Sequence, residues 1–179
     1  MNVRDVVLDR FAWVDGHADV WAVFRDAEAL RVVVTALVEP FLGDGVTAVC
    51  GIESRGFLLG GAAAVQLGVG FVPVRKGGGL FPGVKVTRTT APDYRGVVSD
   101  LRLQRAALGS GDRVVLVDDW VETGSQVLAA REMIAECGAT LVGCSVIVDD
   151  LTDQRRAEIG RVHALVRSDQ LPADGQRAH

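Results

Sequence analysis

Residues 113–130 read RVVLVDDWVETGSQVLAA, and the fold follows from this stretch more than from any other. The apolar residues 114–117 predict a buried parallel strand. Two carboxylates, Asp118 and Asp119, stand directly after it, and a short polar loop leads into a helix that the pattern begins at Val127. This order predicts an open α/β sheet with a ligand site at the carboxyl end of the strand.

The loop and the acid pair suit a phosphorylated sugar. Backbone N–H groups at a helix N-terminus attract phosphate, and the loop residues Thr123, Gly124, Ser125 and Gln126 add small or hydrogen-bonding groups. Two adjacent carboxylates can accept hydrogen bonds from a vicinal diol such as ribose O2 and O3. The stretch has neither the GxxxxGK(S/T) nor the GxGxxG pattern. The alternative is an ordinary strand–turn–helix corner with solvent-exposed acids.

The composition is typical of a globular protein with one domain. The 179 residues are 49% hydrophobic and 23% charged, which is enough for a sizeable core. We expect residues 1–179 to form a single domain, with about 1–45 as an N-terminal region and about 169–179 as a polar tail. A net charge of −4 gives no electrostatic basis for binding nucleic acid.

Targeting and metal-binding features are not predicted. The apolar stretches are too short or too interrupted to span a bilayer, and the N-terminus lacks the layout of a signal peptide. Cys50, Cys137 and Cys144 lack metal-ligand spacing and are expected to be reduced thiols. We therefore expect a cytoplasmic protein that does not contact the membrane and whose own side chains do not form a metal site.

Apolar runs alternate with helical patterns along the chain, which predicts a doubly wound parallel sheet. Strands are predicted at 46–50, 71–74, 114–117, 141–148 and 163–167, and helices at 27–41, 57–67, 99–108, 127–137 and 154–159. Residues 84–94 are predicted to form an extended arm, and the Gly-rich residues 76–83 a mobile loop beside the site.

Two further segments carry candidate anion ligands. Ser54 and Arg55 lie between a predicted strand and a helix, where backbone amides and a guanidinium can hold an anion. Arg75 and Lys76 follow the next strand. The segment of Arg55 alone is equally consistent with a solvated surface charge, and for the pair Arg75 and Lys76 alone we favour solvated charges. Together with the loop after Asp119, they can surround a sugar that carries phosphate at one end and pyrophosphate at the other.

The segment DDWVETGSQ resembles the phosphoribosyl-pyrophosphate signature of the type I phosphoribosyltransferases, and six further segments resemble the adenine phosphoribosyltransferases in particular. These are AVFRDAEAL (22–30), GIESRGFLLGGAAA (51–64), VPVRKGGGLFPG (72–83), APDYRG (91–96), SDLRLQRAAL (99–108) and VIVDDLTDQRRAEI (146–159). The similarity runs in register from about residue 24 to 166. It implies a doubly wound α/β fold in which the N-terminal region is a small hood over the base.

The resemblance assigns roles to the sugar-binding and anion-binding residues. In the family, the acid pair binds the ribose hydroxyls and the signature loop binds the 5-phosphate. The two other segments bind the pyrophosphate, and the resemblance implies a cis peptide between Glu53 and Ser54. The corresponding positions are Asp118 and Asp119 for ribose, Thr123, Gly124, Ser125 and Gln126 for phosphate, and Ser54, Arg55, Arg75 and Lys76 for pyrophosphate. It further implies that Arg75 reaches the site of a neighbouring subunit.

The resemblance also implies the remaining substrates and partners. Residues 22–25, including Phe24 and Arg25, cover the base. Mg²⁺ arrives bound mainly to the diphosphate and ribose oxygens of the substrate, and the family is usually homodimeric. The implied reaction moves the 5-phosphoribosyl group to a purine-like base, adenine first, through an oxocarbenium-like transition state.

Two carboxylates compete for the role of general acid or base at the purine. Asp93 matches the loop Glu of the adenine enzymes, one methylene shorter. Glu122 stands where 6-oxopurine enzymes of the wider family carry an Asp that serves purine N7. Glu122 could equally be a loop acid turned to solvent, so both assignments stay open.

Several departures from the family pattern concern the base. Val20-Trp21 replaces Pro-Gly in the hood, and Trp21 either refills the base pocket or, as we favour, is an ordinary core residue. Trp120 replaces an aliphatic residue, and Asp149 stands where 6-oxopurine enzymes place a Lys. The alternatives to adenine transfer are transfer to another heterocycle and a non-catalytic regulator that binds phosphoribosyl pyrophosphate.

Overall fold

The buried strand of segment 113–130 belongs to a sheet that organises the whole computed structural model, which describes residues 2–78, 80–93 and 96–173. The helices are α1 (Val3–Leu8), α2 (Trp21–Arg25), α3 (Ala27–Val38), α4 (Arg55–Leu67), α5 (Ser125–Glu136) and α6 (Asp153–Ile159). The strands are β1 (Ala12–Val14), β2 (His17–Asp19), β3 (Ala48–Ile52), β4 (Gly70–Lys76), β5 (Lys85–Thr89), β6 (Asp100–Gln104), β7 (Arg113–Val121), β8 (Thr140–Asp149) and β9 (Val162–Arg167).

Seven strands form the central sheet in the order β5-β6-β4-β3-β7-β8-β9. The pairs among β4, β3, β7, β8 and β9 are parallel, whereas β6 runs antiparallel to both β4 and β5. Side chains of β7 alternate between two cores. Leu116 packs on the side of α5, and Val115 and Val117 pack on the side of α1, α3 and α4. Helices thus cover both faces, which confirms the doubly wound α/β prediction.

The predicted strands and helices are found with shifts of a few residues, except in the segment 99–108. A helix was predicted there, but the structure has β6 and then a 3₁₀ turn at Arg105–Ala107. Leu101 and Leu103 are fully buried while Arg102 between them is not, which is the period of two that a strand with one buried face requires. The extended arm predicted beside it contains β5, its antiparallel partner, and residue 94 lies outside the described residues.

The N-terminal region contains a hairpin that was not predicted. Strands β1 and β2 pair antiparallel, and Asp15 and Gly16 connect them with φ angles of 52° and 74°. Two consecutive left-handed residues are what a tight two-residue hairpin turn requires, and Asp-Gly is a preferred sequence for it. This hairpin brings residues of the N-terminal region to the site described below.

Two boundaries differ in ways that matter for the site. Strand β7 continues through the acid pair because Val121 is still in register with Asp149 of β8. The acids therefore lie within the last residues of the strand rather than after it. At the C-terminus, a 3₁₀ turn occupies Ser168–Gln170, and residues 174–179 of the predicted tail lie outside the described residues. No helix in the described ranges combines the length and apolar content needed to cross a membrane.

Candidate active site

A cavity of about 510 Å³ opens at the carboxyl ends of β3, β4, β7 and β8. Its walls come from the β1–β2 hairpin, from the turn between β3 and α4, and from the continuous stretch 118–127. The carboxyl edge of a parallel sheet is where open α/β folds bind ligands, because the loops leading into the helices meet there. The position matches the prediction made from segment 113–130.

Most of the predicted site residues meet in this cavity. Those that line it are Asp118, Asp119, Thr123, Gly124, Ser125, Gln126, Ser54, Arg55 and Lys76, together with both acid/base candidates, Asp93 and Glu122. Arg75, Phe24 and Arg25 do not line it. The cavity is polar on the sheet side and aromatic on the hairpin side, where Trp13 and Trp120 lie.

The loop before α5 presents backbone amides to the cavity. Gly124 caps the helix in a left-handed conformation, with φ of 72°, and the Thr123 hydroxyl donates to the Ser125 hydroxyl at 3.0 Å. Across the described residues, the N–H groups of Thr123, Gly124 and Gln126 donate to no protein acceptor. Unsatisfied amides at a helix N-terminus can bind an anion, and the phosphate role of this loop stays a prediction.

The acid pair is held close to a cation and to the helix α4. The Nε of Arg55 lies 2.8 Å from Oδ2 of Asp119, a carboxylate that is only 6% exposed. Oδ1 of Asp118 accepts from the N–H of Asp119 at 2.9 Å. A Cβ at Gly56 would lie 2.9 Å from that same Oδ1, so only glycine lets α4 approach the acid. Burial, and then the charge of Asp119, raise the pKa of Asp118 well above its ordinary value.

The raised pKa of Asp118 predicts a stability effect with a definite sign. A carboxyl whose pKa is raised by folding favours the folded state below its ordinary pKa of about 4, and that contribution is lost as the pH rises through the raised value. We expect the Asp118→Asn variant, which has no charge to bury, to be more stable than the native protein at pH 8 by about 1 to 2 kcal/mol.

Thermal unfolding of both proteins between pH 4 and pH 8, without ligand, measures this difference. The advantage of the Asp118→Asn variant should shrink toward pH 4, where the native carboxyl is protonated. An advantage that grows as the pH falls would contradict the assignment.

The two predicted pyrophosphate segments, at Ser54-Arg55 and at Arg75-Lys76, lie only partly where they were expected. The peptide between Glu53 and Ser54 is cis, which confirms the expectation from the family resemblance. Arg75 does not reach the main cavity, because its guanidinium forms two hydrogen bonds to Glu53, at 3.1 and 3.3 Å, and one to the carbonyl of Leu80 at 2.8 Å. The hydrogen bonds from Arg75 lower the pKa of Glu53 and keep it ionised. A role of Arg75 at a neighbouring subunit stays a prediction.

The hood residues are arranged differently from the expectation. Trp21 is 52% exposed, so the prediction that it belongs to the core is wrong. Its ring packs edge-on against Phe24 at 5.4 Å, and the guanidinium of Arg55 lies 5.9 Å from its centre. Trp21 therefore contacts the Arg55 guanidinium through its ring and does not pack in the hydrophobic core. Phe24 and Arg25 are left outside the cavity wall.

Residues that sequence reasoning missed occupy the cavity mouth instead. Trp13 and His17 come from the β1–β2 hairpin, and the Asp15-Gly16 dipeptide was the signal that could have found them. Asp149 is 1% exposed and forms an ion pair with Arg156, and it is the next residue, Asp150, that lines the cavity.

The fold and site define a sugar-phosphate-binding α/β protein, and the chain belongs to the phosphoribosyl transferase family. The model of the phosphoribosyl transferase domain matches residues 29–166. The chain is 40% identical over 152 residues to the adenine phosphoribosyltransferase of Methylococcus capsulatus, a match that covers 83% of this chain and 86% of that relative. Membership makes the protein a pentosyltransferase.

Solved structures support the same placement. The adenine phosphoribosyltransferase of Rhodothermus marinus aligns with a TM-score of 0.81 at 31% identity, covering 92% of this chain and 98% of that one. The enzyme from Saccharomyces cerevisiae, complexed with an imino-altritol bisphosphate and adenine, aligns with a TM-score of 0.79 at 28% identity, covering 91% and 98%.

Proposed function

We propose that this protein transfers the 5-phosphoribosyl group of phosphoribosyl pyrophosphate to adenine and releases pyrophosphate. The observation that carries the proposal is that the 123–126 loop, with its free amides, and the Asp118–Asp119 pair line the same cavity. Phosphate and a vicinal diol are the two groups that such a set binds best. The choice of adenine is supported by relatives that carry that name and by the yeast structure with adenine bound.

The geometry suggests how the chain's residues promote the reaction. The loop amides hold the 5-phosphate and the acid pair holds the ribose hydroxyls, which fixes the anomeric carbon between the base and the leaving group. The bond from C1′ to the base nitrogen forms as the bond from C1′ to the pyrophosphate oxygen breaks, and pyrophosphate leaves with the electron pair. Arg55 and Lys76 supply positive charge where the leaving group gains negative charge.

The proton on the base requires an acid or base within the cavity. Asp93 and Glu122 both line it, and the N–H of Val97 donates to Asp93 at 2.8 Å. We expect that one of the variants Asp93→Asn and Glu122→Gln lowers kcat at least about tenfold, and that the other changes it little. Steady-state kinetics with saturating phosphoribosyl pyrophosphate measures kcat of both variants. A kcat equal to that of the native protein in both would exclude a carboxylate at either position from proton transfer.

Magnesium is proposed to enter with the substrate. The carboxylate oxygens of Asp118 and Asp119 are hard donors that fit Mg²⁺, and they line the cavity beside the proposed place of the ribose hydroxyls. The described residues contain no group of three or more His, Cys, Asp or Glu side chains that could hold a metal ion by themselves. When bound, the ion would neutralise charge on the diphosphate.

Assembly and location complete the proposal. We propose a homodimer, because Arg75 does not line the main cavity of its own chain and the family resemblance places it at a neighbouring subunit's site. Cytoplasmic location is supported by the three cysteines, Cys50, Cys137 and Cys144, which are all unpaired thiols.

A panel of bases tests the proposed function. The protein is incubated with phosphoribosyl pyrophosphate, Mg²⁺ and one base at a time, and pyrophosphate release is followed. Release with adenine, with formation of the adenine ribonucleotide, is expected. Release with a different heterocycle only would move the protein to another substrate, and tight binding of phosphoribosyl pyrophosphate with no release for any base would favour the regulator.

A further inference from the structure

One end of the cavity is not used by the sugar, the phosphate or the pyrophosphate. It is lined by Trp13 and His17 of the hairpin, by Trp120 and by Asp150. Trp120 directly follows the acid pair in β7, so this end adjoins the place where the ribose hydroxyls bind. The base is attached to the neighbouring carbon of the same sugar ring, so a base can reach this end of the cavity.

The wall at this end is aromatic and fixed. The ring of Phe11 packs edge-on against Trp13, with ring centres 5.3 Å apart, and lies 6.5 Å from the ring of Trp120. The indole N–H of Trp13 donates to the carbonyl of Pro172 at 2.7 Å, which sets the orientation of that ring. A rigid aromatic wall favours a flat heteroaromatic ligand, because such a ring stacks on it without loss of side-chain freedom.

Asp150 is held at the edge of this wall. Its N–H donates to the carbonyl of Val121 at 2.8 Å, and its carboxylate accepts a hydrogen bond from the hydroxyl of Ser168. The preceding Asp149 is anchored by Arg156 and accepts from the N–H of Leu151 at 2.8 Å. The turn that carries Asp150 is therefore tied on both sides, and its carboxylate has a defined position.

We propose that Asp150 determines specificity by accepting a hydrogen bond from the exocyclic amino group of a base that lies against Trp120. An ionised carboxylate can accept but not donate hydrogen bonds, so it matches an amino group and repels a carbonyl oxygen at the same place. The inference rests on the proposed function and adds to it the residue that separates amino-substituted from oxo-substituted bases.

The test compares kcat/KM for adenine and hypoxanthine in the native protein and in the Asp150→Asn variant. The amide keeps the shape of the side chain and its contact with Ser168, but it presents no charge. In the variant, the ratio of kcat/KM for adenine to kcat/KM for hypoxanthine is expected to fall roughly tenfold to hundredfold, with KM for phosphoribosyl pyrophosphate unchanged. A merely structural role would change that KM as well.

Asp153→Asn is the matched control, since Asp153 is an exposed carboxylate three residues away that does not line the cavity. It should leave the ratio unchanged. A ratio that also stays unchanged in Asp150→Asn, in a protein that does use adenine, would overturn the role of Asp150. A native protein that uses no base at all would instead refute the proposed function.

A measurement on the native protein keeps the proposal testable if Asp150→Asn fails to fold. Purine without an exocyclic amino group is used as a competitor of adenine. Its inhibition constant should be at least about tenfold higher than the dissociation constant of adenine. Equal values would show that the amino group meets no acceptor, and would overturn the proposal.

Discussion

Replacing Gly124 with alanine is expected to lower kcat/KM for phosphoribosyl pyrophosphate at least ~100-fold. Gly124 has φ of 72°, and a Cβ there would lie 2.8 Å from Cδ1 of Ile159 and 3.1 Å from Cδ2 of Leu151. The new methyl group must displace either these side chains or the loop itself. Because the proposed phosphate binding by the N–H groups of this loop depends on direction as well as charge, a small displacement should remove most of the binding.

Gly68→Ala is the control for the cost of the backbone conformation alone. Gly68, which follows the C-terminus of α4, is also in the left-handed region, with φ of 69°, but a Cβ there would have no neighbour within 4 Å. Both variants should lose about 1–2 kcal/mol of unfolding free energy. Steady-state kinetics and thermal unfolding of the pair separate stability from binding, and equal kinetic losses would refute the phosphate role of the loop.

Replacing Asp119 with asparagine is expected to lower kcat/KM by about 100- to 1000-fold. The carboxylate is buried and forms the ion pair with Arg55, so its loss affects two parts of the site at once. It removes the proposed acceptor for a ribose hydroxyl, and it releases the guanidinium that is proposed to stabilise the leaving pyrophosphate. One charge-assisted hydrogen bond to the ribose, lost together with the ion pair, amounts to about 3 to 4 kcal/mol, which gives the expected range.

Asp112→Asn provides the matched control at the opposite end of the same strand. Asp112 directly precedes β7 and accepts hydrogen bonds from Thr47 and from the N–H of Gly109, both at 2.8 Å. Its replacement should lower stability by about 1 kcal/mol and leave KM for phosphoribosyl pyrophosphate unchanged. If Asp119→Asn behaves in the same way as Asp112→Asn, the ribose assignment is wrong.

The centre of the fold and the sugar-phosphate part of the site could be predicted because their signals are local. The apolar run before Asp118, the acids, the loop and the helix start follow one another in 18 residues of sequence, 113–130. Each of these features restricts the backbone by itself, and together they place the acids and amides at one edge of a parallel sheet. The structure brings them to a common cavity as expected.

Errors arose where distant parts of the chain decide the outcome. The segment around Leu101 and Leu103 was predicted as a helix, but it is a strand. Its antiparallel partner β5 and the core that buries these leucines come from other parts of the chain, which the local sequence does not show. Trp21 was assigned to the core because a large aromatic ring is usually buried. Its contact with Arg55, 34 residues along, depends on how the hood folds back over the sheet.

The position of Arg75 and the aromatic end of the cavity had no local signal either. Nothing next to Arg75 in the sequence indicates its hydrogen bonds to Glu53, which come from pairing of β3 with β4. Trp13 and Trp120 are more than 100 residues apart in the sequence, and Phe11 packs against both. Such sites are formed by tertiary packing, and a single sequence carries little information about it.

The central claim is that the amides of the loop at 123–126 bind the 5-phosphate of the sugar. Titration of ¹⁵N-labelled protein with ribose 5-phosphate, followed by amide chemical shifts, tests it directly, with ribose as the control. We predict the largest shifts at Thr123, Gly124 and Gln126, and none of that size with ribose alone. Shifts confined to other parts of the chain, with these three amides unchanged at saturating ribose 5-phosphate, would contradict the account.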